Sequence, residues 1–198
     1  IERSLELNSN DADSLVLLSS CMAFLGRAAV GQQLFKKALR LNPYRNLWYY
    51  QYGSLAYFVE KAFKRSIEMA LKRSLTNVWV DLPGYIAAAY AHLGNREEAT
   101  LYLQMFVEAF QISINQGRIP QPGEIIDWVK LANPFKYEED MSNFVDGLML
   151  AGLENSSIDT PLPKLNRQQA TPVGPINVFQ REQDVWRILF DGSEIALI

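Results

Sequence analysis

A chain of 198 residues that is 48% hydrophobic and 12% aromatic can bury a sizeable core. Its net charge of −3 gives no global pull toward nucleic acid or anionic lipid, and its single cysteine, Cys21, excludes an internal disulfide framework and any multi-cysteine metal shell. No apolar run approaches the ~18–20 residues of a membrane span, and the cysteine usage fits a reducing, cytoplasmic setting.

The chain opens at Ile1 without an initiator methionine and inside a helical pattern, so it reads as a piece of a longer protein. Residues 1–9 form the tail of a repeat whose first helix is missing. Ser4-Leu5-Glu6-Leu7-Asn8-Ser9 recurs 34 residues later as Ala38-Leu39-Arg40-Leu41-Asn42-Pro43. That spacing is the period of a helix–turn–helix unit that cannot bury its apolar face alone and therefore stacks.

The first complete copy falls on residues 12–45. Leu15, Leu18 and Met22 stripe one helix, Gly26 lies in the connection, Gly31, Phe35 and Ala38 stripe the next, and Pro43 closes the unit. A degenerate copy follows around 47–79, with Gly53 and Tyr57 in its first helix and Ser66, Ala70 and Arg73 in its second. A third copy runs through Ala87, Tyr90, Gly94 and Ala99, with Gly94 as the left-handed turn residue and Glu97 and Glu98 at a helix start that favours negative charge. Ser66 lies 35 residues after Gly31, and Ala99 lies 33 after Ser66, so the period drifts and recovers.

Beyond Phe110 the repeat stops. Gln116–Gly123 is a turn-rich break. A helix is expected from Glu124 with Ile125, Trp128 and Leu131 on one face. Asn133-Pro134 ends it, and Glu138, Glu139 and Asp140 open another helix whose apolar side carries Met141, Phe144, Val145, Leu148 and Met149. Residues 111–153 therefore read as a helical cap on a repeat array covering 1–110. Residues 154–175, with four prolines, read as a linker. Residues 176–198 alternate with period two around Trp186, Ile188 and Phe190, and Asp191-Gly192 signals a truncated β-hairpin.

The pattern in residues 1–110 resembles the tetratricopeptide repeat family. Ser19 replaces the usual first-helix glycine, and Arg73 and Asn77 replace the usual small residue and proline. The resemblance implies an all-α solenoid of antiparallel helix hairpins whose first helices line a concave groove that takes a peptide or protein. The expected groove residues are Phe24, Trp48, Gln51, Tyr52, Asp81, Tyr85 and His92, joined by Ser20, Leu55 and Ala88. The Lys and Asn that clamp a peptide carboxylate in chaperone-binding members are absent from these places, which suits an apolar or mildly basic peptide, or a groove filled by the protein's own helix.

The order of parts, with Trp128, Pro134, Phe135, Asp140, Gly147-Leu148 and Ala151-Gly152-Leu153, also looks like the region downstream of the catalytic domain in bacterial class III adenylate/guanylate cyclase-like signalling proteins. That resemblance implies a regulatory or dimerising segment. The unpartnered Leu5 and Leu7 give a separate motive for a homodimer.

No catalytic residues, cofactor or metal site are expected. His92 is the only histidine, and nothing in the sequence supplies it with a nucleophile and an orienting partner. One His and one Cys cannot build a zinc shell. Glu97-Glu98 and Glu138-Glu139-Asp140 sit at helix starts, and adjacent residues do not share a helix face. The basic run Lys61, Lys64, Arg65, Lys72, Arg73 reads as a solvated helix face, not as a nucleic-acid or membrane site.

Overall fold

The computed structural model describes residues 10–72 and 79–153, and the strand backbone at 180–182, 185–190 and 193–197. Leu5, Leu7, Arg73, Asn77, the 154–175 linker and the Asp191-Gly192 turn lie outside the described residues. The chain divides into two compact units, Ile1–Pro163 and Lys164–Ile198.

In the first unit the described residues form eight helices: α1 Ala12–Phe24, α2 Ala28–Leu41, α3 Tyr49–Val59, α4 Phe63–Ala70, α5 Leu82–His92, α6 Arg96–Ser113, α7 Glu124–Ala132 and α8 Glu138–Leu150. None is long and apolar enough to cross a membrane. α1 begins where the Asp11 carboxylate accepts from the Asp13 amide at 3.2 Å and from the Ser14 hydroxyl, a side-chain cap for otherwise unpaired donors.

The hairpins α1–α2, α3–α4 and α5–α6 are closed by one turn used three times. Gly26, Lys61 and Gly94 hold φ of 71°, 57° and 80°. Across them Arg27 N–H donates to Met22 O at 2.8 Å, Ala62 N–H to Tyr57 O at 2.9 Å and Asn95 N–H to Tyr90 O at 3.0 Å. Each is the six-to-one bond that closes a helix over a left-handed residue. Glycine takes that conformation freely and lysine does not, so the middle turn carries strain on the order of 1 kcal/mol.

Five residues after each turn stands a small, buried residue of the second helix: Gly31, Ser66 and Ala99. Opposite the first two, in the first helices, are Ser19 and Ser54, also buried. A Cβ on Gly31 would come within 2.5 Å of the Ser19 carbonyl oxygen, and the Ser66 hydroxyl donates to the Ser54 carbonyl at 3.0 Å. The helices of these two hairpins come close at these points, where small side chains permit the approach. The 35- and 33-residue offsets are thus absorbed between hairpins, because the spacing within them is constant.

Successive hairpins pack side by side: α1 meets α3, α2 meets α3, α3 meets α5 and α4 meets α5. Phe35 of α2 is fully buried against Tyr50 and Tyr57 of α3. Ten of the eleven residues of α3 are buried, so it is covered on every side.

α7 differs from the sequence expectation. Its buried residues are Ile125, Ile126 and Val129, while Leu131 is 63% exposed. Trp128 is half-buried against Phe106 and Phe110 of α6. The indole meets the Phe110 ring edge-on and the Phe106 ring at a tilt, and Leu131 is left facing outward. On α8 the buried residues are Phe144, Gly147 and Leu148, and Met149 faces outward.

In the second unit β1 Gln180–Glu182, β2 Val185–Phe190 and β3 Ser193–Leu197 form an antiparallel sheet in sequence order. Arg187 lies opposite Gln180 on one side and Ala196 on the other.

Candidate functional site

The first helices α1, α3 and α5 place the expected groove residues on one face each. Trp48, Gln51, Tyr52 and Leu55 fall at i, i+3, i+4 and i+7 of α3 and its preceding turn, and Asp81, Tyr85, Ala88 and His92 at i, i+4, i+7 and i+11 of α5. Tyr52 and Tyr85 occupy equivalent places in successive hairpins. Their surroundings are not equivalent.

Over Tyr85 the chain has laid its own residues 133–151. Asn133 is buried and accepts a hydrogen bond from the Tyr85 hydroxyl at 2.6 Å. Phe135 lies 5.1 Å from Phe24, and Lys136 N–H donates to the Phe24 carbonyl at 2.8 Å. The Tyr137 ring then occupies the space above Gly26, where a side chain would otherwise project. α8 returns along α5. Its Phe144 stacks on Tyr85 at 3.9 Å and meets Phe58 edge-on at 5.7 Å. His92, stacked on Phe63 at 4.7 Å, uses Nε2–H to donate to the Asn143 carbonyl at 2.8 Å. Gly147 sits so close to Ala88 that a Cβ there would fall 2.5 Å from the Ala88 methyl.

Tyr52 is buried as well, but between two tryptophans. Its ring lies 5.4 Å from Trp48 and 4.2 Å from Trp79, both edge-on, and the two tryptophans are only half-buried. Gln51 is 3% exposed, yet among the described residues its side-chain Nε2 has no hydrogen-bond partner. A buried amide donor without an acceptor costs about 1–3 kcal/mol. Cys21 is half-buried, and burial raises its thiol pKa, away from nucleophilic use.

The structure therefore divides the expected residues. Phe24, Asp81, Tyr85 and His92 belong to the part that residues 133–151 meet, whereas Gln51 and Tyr52 are buried beside Trp48, which is half-exposed. Trp79, Asn133 and Phe144 complete the site without having been expected in it. Only Trp79 had a legible signal, as a large aromatic just ahead of a first helix. Of the basic run, Lys61, Lys64, Arg65 and Lys72 are exposed, and Lys61 pairs with Glu139 of α8 at 2.8 Å. Among the described residues no group of three or more His, Cys, Asp or Glu side chains could hold a metal ion.

Asp81 supplies the site's electrostatic feature. Burial pushes its carboxyl up to about 6 from an ordinary 3.8, against a smaller opposing effect of a hydrogen bond from Asn133. Tyr85 is pushed up in turn, by burial and then by the Asp81 charge. Because the folded-state pKa is raised, the favourable contribution of the neutral acid is complete below about pH 4 and is lost as pH rises through about 6. The loss is about 2–3 kcal/mol. Asp81→Asn is accordingly expected to raise the melting temperature at pH 7.5 and to flatten stability between pH 4 and 6, in thermal scans across that range. An unchanged pH profile in the variant would locate the titration elsewhere.

No family model, curated protein or solved structure matches the chain.

Proposed function

We propose that this chain is a non-catalytic protein-interaction module, a tetratricopeptide-like stack of helix hairpins that takes a peptide or protein on the face of α1, α3 and α5. The observation that carries the reading is the pair of half-buried tryptophans, Trp48 and Trp79, packed edge-on against the buried Tyr52. Aromatic rings contribute large contact area at little conformational cost, and they dominate interface energetics when a partner covers them. His92, the residue most suited to acid–base work, is already engaged by Phe63 and the Asn143 carbonyl, which fits a structural role.

Affinity capture from the source cell's cytosol tests this, with bound proteins identified and their Kd measured on purified components. Trp48→Ala is expected to weaken the identified partner at least tenfold. Tyr44→Ala, on a side chain that is 97% exposed, is expected to leave it unchanged. Equal losses from both, or none from Trp48→Ala, would discard this face.

A further inference from the structure

α8 lies on the first-helix face as a bound helix would. Its apolar contacts come from a short pattern, Phe144, Gly147, Leu148 and Ala151, set on Tyr85, Phe58, Ala88 and His92. Its polar contacts are mostly to its own main chain. His92 donates to the Asn143 carbonyl and the Thr100 hydroxyl to the Ala151 carbonyl, oxygens that any helix would offer. Its one ion pair among the described residues, Lys61–Glu139, has both side chains more than half exposed, and such pairs contribute little.

The helix is also held lightly compared with the face beneath it. Three of its thirteen residues are buried, against eight of eleven in α5 and ten of eleven in α3. Elements with few buried side chains open locally before the core does. Opening would expose Tyr85, Phe58, Ala88 and the His92 donor beside the half-buried Trp48 and Trp79 that flank Tyr52. The result is one continuous aromatic face over equivalent positions of two hairpins.

We infer that residues 133–153 act as an intramolecular ligand, an autoinhibitory latch, and that the face is built for a partner helix of the same chemistry: aromatic, two residues, Gly-Leu, two residues, Ala. This rests on the interaction reading above and says what that face recognises and how it is regulated. While the latch is seated, the partner's apparent Kd is raised by the inverse of the open fraction.

Hydrogen exchange on the unaltered chain is the first test. α8 amides are expected to exchange through a local opening, at least tenfold faster than α3 and α5 amides that open only globally. Common exchange of all three through global unfolding would overturn the latch, without any variant being made. The second test unseats α8 by Gly147→Leu, whose added carbons would meet Ala88 and His92. A labelled synthetic peptide of residues 136–153 is then expected to bind the full-length variant at least tenfold more tightly than the unaltered chain. The same peptide carrying Phe144→Ala is expected not to bind. Equal peptide binding to both chains, or loss of α1–α6 protection together with α8 in the variant, counts against the inference. Peptide exchange in trans with no partner captured leaves the latch standing and removes the interaction reading. A partner that binds both chains equally does the reverse.

Discussion

Phe35→Ala is expected to destabilise the first unit by about 3–5 kcal/mol, the usual cost of truncating a fully buried phenylalanine. The ring has no solvent exposure, fills the junction between the first two hairpins, and meets Tyr50 and Tyr57 edge-on at 6.1 and 6.5 Å. It also lies directly over Gly53, which has no side chain to fall into the vacated space. Tyr50 is tied by its hydroxyl to Arg45 at 2.7 Å, so it cannot swing inward. The cavity therefore persists. In urea unfolding the midpoint should fall with an unchanged slope, because native and unfolded states expose the same surface as before. A loss below about 1 kcal/mol would mean that the hairpins do not depend on this junction.

Phe144→Ala removes the same atoms from an equally buried site, and a different outcome is expected. Phe144 stacks on Tyr85 at 3.9 Å, but it belongs to a helix with few other anchors. Its loss should make local opening of α8 easier by about 3–5 kcal/mol, which raises α8 amide exchange by a hundredfold or more. The global midpoint should move less than for Phe35→Ala. The urea slope should fall, since a variant already open at α8 exposes less additional surface on unfolding. A full global loss with an unchanged slope would make α8 an integral part of the core.

The helix pairs could be read from the chain because their causes are local. Tyr90, Gly94 and Ala99 specify a helix end, a left-handed turn and a small residue of the next helix within ten positions; Gly94 takes the left-handed turn, Asn95 N–H closes onto the Tyr90 carbonyl, and Ala99 is buried. The middle hairpin was harder because Lys61 holds the turn where its counterparts are glycines, leaving no punctuation to recognise. The burying face of α7 was misjudged because Trp128 packs on α6 and turns Leu131 outward, a tertiary choice that periodicity cannot see. The position of α8 was likewise out of reach. Phe144 and Leu148 announce that one face is buried, but nothing near them names Tyr85 as the surface. The hydrogen bond between Tyr85 and Asn133 joins residues 48 apart in sequence. Expected groove residues were legible as a helix face; which of them the chain would cover was decided by long-range packing.

The constant five-residue step from Gly26 to Gly31, Lys61 to Ser66 and Gly94 to Ala99 sets where the chain can change length. One residue inserted within that step would rotate the following helix by about 100°, carrying Leu103, Phe106 and Phe110 of α6 away from the core they now fill. One residue added between hairpins, in the α2–α3 connection, would only lengthen a surface loop at small entropic cost. The drift already present between copies falls in the tolerant places. Growth and shrinkage of this protein are therefore confined to its seams, and each hairpin behaves as an indivisible piece.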